Sequence, residues 1–336
     1  RDNEALNEAW ISDRDRFSYT GLAAADRVEQ PMIKENGQWR EVEWSVALDY
    51  VAEAVEKITA HDGDDALAMF MSPNATCEEL YLAQKLTRSL KSDNIDYRLR
   101  QSDFTAANDV YPVLNCKLDE LPQQQAVLLI AANVRQEQPI VAHRLRQASL
   151  KGCKVMPLSL LDGQENFDVA HKRIVTIDEM LPNLLSILKA SITLSDKSVD
   201  IASATQLMMD VVKVDEHAKA VAAELVNSEQ ALICLGAMAS HHPAFASLYY
   251  VAQLISQVTG ANLGRLTDGA NATGGFLVGA QPQKPGNNVK AMIAAKPKAV
   301  FLHDIDSDHD VASPVAFSAM LEQAPLVVSI SPFANE

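Results

Sequence analysis

Short continuous apolar runs recur along the chain, separated by longer stretches of mixed polarity. A run of this kind, bounded by polar or turn-forming residues, is typical of a parallel β-strand that is covered on both faces. These runs therefore predict the strands of one or more parallel sheets. The predicted strands are residues 66–71, 95–99, 126–132, 154–158, 173–177, 231–235, 299–303 and 326–330.

The stretches between these runs have the apolar spacing of amphipathic helices. Thr76, followed three residues later by Glu79, predicts a capping box at the start of one helix. Because strands and helices alternate, we expect an α/β fold with parallel sheets and helices on both faces. The core candidates of the capped helix are Leu80, Leu82, Leu86 and Leu90. The predicted helices are residues 43–58, 77–90, 139–151, 179–190, 214–226, 243–259 and 313–322.

Three loops follow predicted strands at the edge where parallel α/β sheets bind ligands: residues 133–138, 236–242 and 304–310. In the first loop, Asn133 and Glu137 can present polar groups beside a helix start, which favours anions. A plain connection is the alternative, and the absence of a GxGxxG fingerprint there argues against a standard NAD site.

Two other segments are candidates for binding. Residues 260–286 are rich in Gly, Asn and Pro, which predicts a long irregular loop, and such loops usually have a binding role. The acidic run at residues 304–310 lacks the Gly and Glu that an EF-hand needs at its sixth and twelfth positions. We therefore interpret that run as a solvated strand end.

Composition and motifs exclude several classes of function. The net charge of -15 disfavours binding to nucleic acid. Cys77, Cys116, Cys153 and Cys234 are widely spaced, so no iron–sulfur or zinc site is predicted, and the pattern fits a reducing cytoplasm. No apolar run approaches the roughly 20 residues of a membrane span, and no catalytic motif is present. Since the chain begins without Met and stops just after an apolar run, we expect an internal piece of a longer protein.

Several motifs together resemble the molybdopterin oxidoreductase family. The leading segment NEAWISDRDRFSY is similar to the large iron–sulfur subunit of the bacterial NADH-quinone oxidoreductases (respiratory complex I) in particular. The stretches AVLLIAANVRQEQP, TGANLG and GANATGGFLVGAQP resemble the family's strand–loop units and its Gly/Asn loop. The resemblance implies a fold like that of the two α/β domains of formate dehydrogenases.

The resemblance also implies a domain organisation. Residues 1–45 would be the remnant of a segment that follows an iron–sulfur domain. Residues 46–111 and 226–336 would form a discontinuous α/β lobe, and residues 112–225 would form a second α/β lobe inserted into it.

The resemblance further implies a vestigial pterin cleft. The family's molybdenum ligand would fall within residues 98–110, where Ser102 and Thr105 are the hydroxyl candidates and no Cys is present. Ala132 stands where the family has a glycine. We therefore expect no catalytic residue, no metal ligand and no cofactor in this chain. The cleft candidates are Asn133, Glu137, Gly236, Gly264, Asn271 and Gly279.

The function implied is that of a scaffold in the peripheral arm of NADH:quinone oxidoreductase, inactive in isolation. The [2Fe–2S] and [4Fe–4S] clusters of the full subunit would lie upstream of Arg1. The partners would be other peripheral-arm subunits, on the cytoplasmic side of the bacterial inner membrane. Two alternatives remain open: a truncated active molybdopterin enzyme resembling formate dehydrogenase, and a binding module that uses residues 260–286 for a nucleotide or a peptide.

Overall fold

The computed structural model describes residues 2–105, 111–195, 197–283 and 287–334. It divides the chain into two compact units. Unit 1 comprises Arg1–Arg16 and Ser102–Thr267, and unit 2 comprises Phe17–Gln101 and Asp268–Glu336.

The helices and strands are numbered in chain order. The helices are α1 (Asp13–Phe17), α2 (Trp44–Asp62), α3 (Cys77–Ser89), α4 (Val134–Glu137), α5 (Pro139–Leu150), α6 (Ile177–Leu194), α7 (Ser203–Val211), α8 (Glu216–Val226), α9 (Ala237–His241), α10 (Phe245–Thr259), α11 (Ala272–Leu277), α12 (Val289–Ala295) and α13 (Pro314–Leu321). Short 3-10 helices occupy Ser18–Ala23, Asp64–Ala66 and Leu121–Gln123. The strands are β1 (Met32–Glu35), β2 (Gln38–Glu41), β3 (Leu67–Met71), β4 (Ile95–Asp96), β5 (Ala126–Ile130), β6 (Lys154–Ser159), β7 (Arg173–Ile174), β8 (Ala231–Leu235), β9 (Asn262–Arg265), β10 (Ala299–His303) and β11 (Leu326–Ile330).

Unit 2 is built on a four-stranded parallel sheet in the order β11-β10-β3-β4. All five side chains of β3 are buried, because apolar residues cover both faces of the sheet. On one face Val55 of α2 belongs to the core that includes Leu67, and on the other the ring of Phe70 meets Phe317 of α13 edge-to-face at 5.1 Å. A separate antiparallel hairpin, β1–β2, precedes α2.

Unit 1 is built on a five-stranded parallel sheet in the order β7-β6-β5-β8-β9. The central strands β5 and β8 are buried along their whole length. Alternate side chains of β5 enter two separate cores, one with α6, α8 and α10 and the other with α5. The predicted α/β class with covered parallel sheets is therefore confirmed.

The apolar runs located the central strands well. The bounds predicted for β8, β10 and β11 are those of the structure, and β3, β5 and β6 differ by one or two residues. The capping box is also confirmed: the Glu79 N–H donates to the Thr76 hydroxyl at 3.2 Å, and the Thr76 N–H donates to the Glu79 carboxylate at 2.8 Å.

Several details of the helix and strand predictions were wrong. Leu80 is buried, but Leu82 and Leu86 are 63% and 48% exposed, because the face of α3 that contacts the core is narrower than its leucine content suggests. The strands predicted at 95–99 and 173–177 shorten to two residues each, since both lie at sheet edges with one neighbour.

The predicted boundary of the inserted lobe at residue 225 was also wrong. Strand β8 pairs with β5 from Ala126↔Ala231 onward, and β9 pairs with β8, so residues 226–267 belong to unit 1. Residues 2–16 likewise belong to unit 1 and are separated from the rest of the predicted leading segment. The 260–286 segment is not wholly irregular, because it contains β9 and α11.

Among the described residues, no helix combines the length and the apolar character that crossing a bilayer would require.

We predict that Gly264→Ala destabilises unit 1 by about 2 kcal/mol or more, because overpacking against backbone cannot be relieved by a side-chain rotation. A Cβ at position 264 would lie 1.8 Å from the carbonyl oxygen of Leu114. Urea unfolding followed by circular dichroism measures the effect. The control is Gly163→Ala, where the nearest atom would be 3.7 Å away and the expected change is within about 0.5 kcal/mol. Equal stability of the two variants would contradict the close approach.

Candidate functional site

Doubly wound sheets bind ligands beyond the carboxyl ends of the strands at which the strand order reverses. In unit 1 the order reverses between β5 and β8, and in unit 2 it reverses between β3 and β10. The two reversal points are therefore where a ligand crevice is expected, and each is considered within its own unit.

At the reversal point of unit 1, the backbone after β5 lies directly against Gly236. The Gly236 N–H donates to the carbonyl of Ile130 at 2.8 Å. A Cβ at position 236 would lie 2.3 Å from the Cα of Ala132 and 2.4 Å from the carbonyl oxygen of Ala131. Ala131 adopts a φ of 46°, which is in the left-handed region and is strained for an alanine. The chain's own backbone therefore occupies the space beside Gly236.

The other candidates of unit 1 have contacts of their own. Asn133 precedes α4, which interrupts the predicted loop, and its side-chain amide lies 3.4 Å from the Gln136 carboxamide oxygen. Glu137 is half-buried at the end of α4. Gly264 lies within β9 beside Leu114, so its role is a close approach between backbones.

Sequence reasoning missed Glu165, which lies in the connection that follows β6. One carboxylate oxygen of Glu165 is buried without a hydrogen-bond partner among the described residues. Burial raises the pKa of Glu165, and the positive charges of Lys172 and Arg135 partly oppose that rise. No sequence motif marks this position, because its burial depends on how the connection folds over the sheet.

At the reversal point of unit 2, a glycine-containing segment lies over the loop that follows β3. The Ala270 N–H donates to the side chain of Asn74 at 2.9 Å, and the Asn271 N–H donates to the carbonyl of Pro73 at 2.9 Å. The Asn271 side-chain amide donates to the carbonyl of Ala75 at 2.7 Å. The backbone and side-chain amides of Asn271 therefore hold its segment against the loop that follows β3.

Gly269 makes this close contact possible, and sequence reasoning missed it. Its φ of +64° is left-handed, and a Cβ at this position would lie 2.8 Å from the carbonyl oxygen of Pro73. A glycine is needed both for the backbone conformation and for the approach. In the sequence, nothing local distinguishes Gly269 from the other glycines of the same stretch.

The rest of the Gly/Asn stretch is held by three charged side chains. Arg88 donates to the carbonyls of Gly279 and Gln281, at 3.0 Å in each case. The Gln283 N–H donates to Asp93 at 2.7 Å, and the Val289 N–H donates to the fully buried Asp96 at 3.2 Å. The carbonyls of Gly279 and Gln281 and the N–H groups of Gln283 and Val289 are thus bonded within the chain.

Glu79 and His303 form the polar pair nearest the carboxyl ends of β3 and β10. Their carboxylate oxygen and ring Nε2 are 3.6 Å apart. The hydrogen bond from the Thr76 N–H lowers the pKa of Glu79; burial opposes this, and the Thr76 hydroxyl and His303 add to the lowering. The ring Nδ1 of His303 is buried with no hydrogen-bond partner in the described structure.

The acidic run at residues 304–310 satisfies its own polar groups. Asp306 accepts from the Asp308 N–H at 2.9 Å and pairs with the ring of His309 at 3.0 Å. Across the described part of the chain, no group of three or more His, Cys, Asp or Glu side chains is arranged to hold a metal ion.

Three side chains that could ligate a metal contact other groups of the protein. Ser102 donates to the carbonyl of His241 at 2.7 Å, and Thr105 donates to Asp103. The thiol of Cys77 lies 3.6 Å from the Asn271 carboxamide oxygen. Residues 106–110 of the predicted ligand region lie outside the described residues.

Three thiols are also poor ligands because burial disfavours the thiolate. Burial raises the pKa of Cys116 to about 11, and Glu120 and Asp119 add to the rise. Burial raises the pKa of Cys153 to about 12 and raises that of the fully buried Cys234 further. Since the thiolate is the metal-binding form, the raised pKa of these three thiols disfavours them as metal ligands.

Comparison with known proteins identifies one matching family and several related proteins. The family described as "Molybdopterin oxidoreductase" matches residues 27–336. A putative formate dehydrogenase of Staphylococcus aureus is 30% identical over 139 residues, which are 40% of this chain and 14% of that protein. An NADH-quinone oxidoreductase subunit from Rickettsia felis is 31% identical over 162 residues, which are 46% of this chain and 23% of that protein. The matches thus span less than a quarter of these relatives' own lengths.

A solved structure shares the fold. Acetylene hydratase from Pelobacter acetylenicus superposes with a TM-score of 0.69 at 13% sequence identity, over 99% of this chain and 56% of that one. At this identity the similarity shows the fold alone, and it confirms the fold predicted from the resemblance.

We predict that Glu79→Gln weakens the dependence of stability on acid pH. The pKa of Glu79 is lowered in the folded chain from its ordinary value of 4.5, so the ionised carboxylate stabilises the folded state at neutral pH. That contribution is lost as pH falls through the folded pKa, and the wild type should therefore lose stability more steeply than Glu79→Gln between about pH 5 and pH 3. The control is Glu78→Gln, which removes a neighbouring charge outside the capping box. If both variants have the same acid profile, the capping contact does not carry the effect.

Proposed function

Because the chain belongs to the molybdopterin oxidoreductase family, we propose that it is a scaffold region of the large iron–sulfur subunit of an NADH:quinone oxidoreductase. In this proposal the region supports electron transfer from NADH to quinone and holds no redox centre itself. Iron–sulfur clusters elsewhere in the full subunit would carry the electrons. The relative from Rickettsia felis, which is named as part of such an enzyme, supports this assignment.

The observation that carries the proposal is that backbone occupies both reversal points. In unit 1, Gly236 lies against the backbone of residues 131–132 at the expected crevice. In unit 2, the segment at residues 269–271 covers the loop after β3. A pterin dinucleotide needs free backbone N–H groups at the strand ends, and the N–H groups of Gly236, Ala270 and Asn271 already have partners within the chain, which supports the proposal.

A molybdenum–pterin group supplies two-electron redox chemistry when it is bound. The side chains described here do not fit that group, so no reaction step is assigned to it. The role of the charged residues is structural: Arg88, Asp93 and Asp96 hydrogen-bond to backbone groups at Gly279, Gln283 and Val289 and so fix that segment to α3 and β4. Rigid positioning of this kind suits a region that holds cluster-bearing segments and neighbouring subunits at constant distances.

The proposal places the chain in the peripheral arm of the enzyme, on the cytoplasmic side of a bacterial inner membrane. Its partners would be the other peripheral-arm subunits. The net charge of -15 supports protein partners over nucleic acid, because phosphate backbones would be repelled.

A second candidate function is that of an active formate dehydrogenase-like subunit. The match with the Staphylococcus aureus protein favours it, at an identity close to that of the Rickettsia felis match. Such a subunit would need a metal ligand in or near residues 98–110. Ser102 and Thr105 make other hydrogen bonds here, which favours the scaffold.

We predict that the purified 336-residue chain contains no stoichiometric iron or acid-labile sulfide, whereas the full-length protein contains both. Cys77→Ser in the full-length protein should leave its iron content unchanged, since the proposed clusters are bound elsewhere. Iron and sulfide assays on anaerobically purified protein measure both quantities.

The formate dehydrogenase alternative is tested on the same full-length preparation. The scaffold assignment predicts no formate-dependent dye reduction and no stoichiometric molybdenum. Formate oxidation together with one molybdenum per chain would establish the alternative and overturn the proposal. Stoichiometric iron in the 336-residue chain would contradict the absence of a redox centre.

A further inference from the structure

Helix α2 carries one apolar stripe that the structure covers over only half of its length. Trp44, Leu48, Val51, Val55 and Ile58 follow one another at alternating spacings of four and three residues, which places them on one face of the helix. Residues with this spacing form the contact seam of packed helices.

The two halves of the stripe have different surroundings. Val55 is buried in the core of unit 2, and Val51 and Ile58 pack against the same core. In contrast, Trp44 is 66% exposed and Leu48 is 61% exposed. The apolar stripe therefore extends about two helical turns toward the N-terminus of α2, past the part that packs against the core. Burial of one large aromatic side chain removes about 150–250 Å² from water, so this exposure is costly.

The adjacent edge strand continues the uncovered surface. Leu326 and Val328 of β11 point into the same core as Val51, and Ile330 follows them at the same side of the strand. Ile330 is 53% exposed, and α2 contacts β11. We call the exposed Trp44 and Leu48 of α2, together with the exposed Ile330 of β11, the α2 seam.

Acidic side chains surround the N-terminal part of the seam. Glu41, Glu43 and Asp49 are exposed, and no ion pair among the described residues involves them. The nearest basic residue in sequence, Arg40, is paired with Glu35 at 3.3 Å. A partner that covers the seam would therefore bring apolar side chains flanked by Lys or Arg.

We propose that the α2 seam docks an amphipathic helix of a separate protein subunit whose apolar stripe is flanked by basic residues. A helix can present an apolar stripe with basic residues along its flanks, which matches an exposed apolar stripe that lies beside three carboxylates. A second copy of this chain would bring the same three carboxylates and a net charge of -15 against each other. This inference rests on the proposed function, which supplies the class of partner: another peripheral-arm subunit.

The test places a photoreactive benzoylphenylalanine at position 48 of the full-length protein, co-expressed with the other peripheral-arm subunits. The control carries the same residue at position 207, which is 70% exposed on α7 of unit 1. Irradiation of the assembled complex and mass spectrometry identify the crosslinked peptide. Because Leu48 is exposed, the substitution should leave the melting temperature of the chain unchanged, and a second reporter at position 44 checks the result.

We expect an adduct at position 48 with a Lys- or Arg-flanked helical peptide of a different subunit, and none of that peptide at position 207. Adding Glu43→Lys and Asp49→Lys to the position-48 reporter should lower the adduct yield several-fold, since the charge complementarity is reversed. An adduct with the same chain or with a second copy, or no adduct at either reporter in an assembled complex, would overturn the inference.

The same preparation separates the two proposals. If the subunits co-purify with stoichiometric iron but the adduct is wrong or missing, only the α2 seam is disproved. If the subunits do not assemble, the proposed function fails, and the docking inference fails with it.

Discussion

Backbone groups at the carboxyl ends of parallel strands need hydrogen-bond partners, and in this chain other backbone segments supply them. Where strand order reverses, the connections leave the sheet in opposite directions and open a crevice. Here the Ala131–Ala132 backbone closes on Gly236 in unit 1, and residues 269–271 close on the loop after β3 in unit 2. These contacts fix the backbone at points where an α/β fold commonly binds ligands, which supports the proposed scaffold role.

Most of the sheet framework could be predicted from the sequence because the central strands are covered on both faces. Strands β3, β5 and β8 are continuous apolar runs that are buried along their whole length, and such runs are visible without any knowledge of their neighbours. Strand β9 has the sequence NLGR and forms because β8 offers it an edge to pair with. The boundary at residue 225 was misplaced for the same reason, since strand pairing between distant segments leaves no local pattern.

Candidate residues could be chosen from the sequence, but the backbone contacts around them could not be predicted. Asn133, Gly236 and Asn271 were identified because they follow strands or lie in a Gly/Asn stretch. Whether a crevice there is open depends on the approach of backbone segments far apart in sequence, such as Gly269 and Pro73. A sequence shows that a glycine is present, and only the fold shows that protein atoms fill the space its missing side chain leaves.

We propose that this family member does not bind the pterin cofactor. The most direct measurement is release of bound pterin from full-length protein that has been produced in cells able to make the molybdenum cofactor. Denaturation and oxidation convert any released pterin to a fluorescent product that can be quantified per chain. The account predicts no stoichiometric pterin, and one pterin per chain would contradict it.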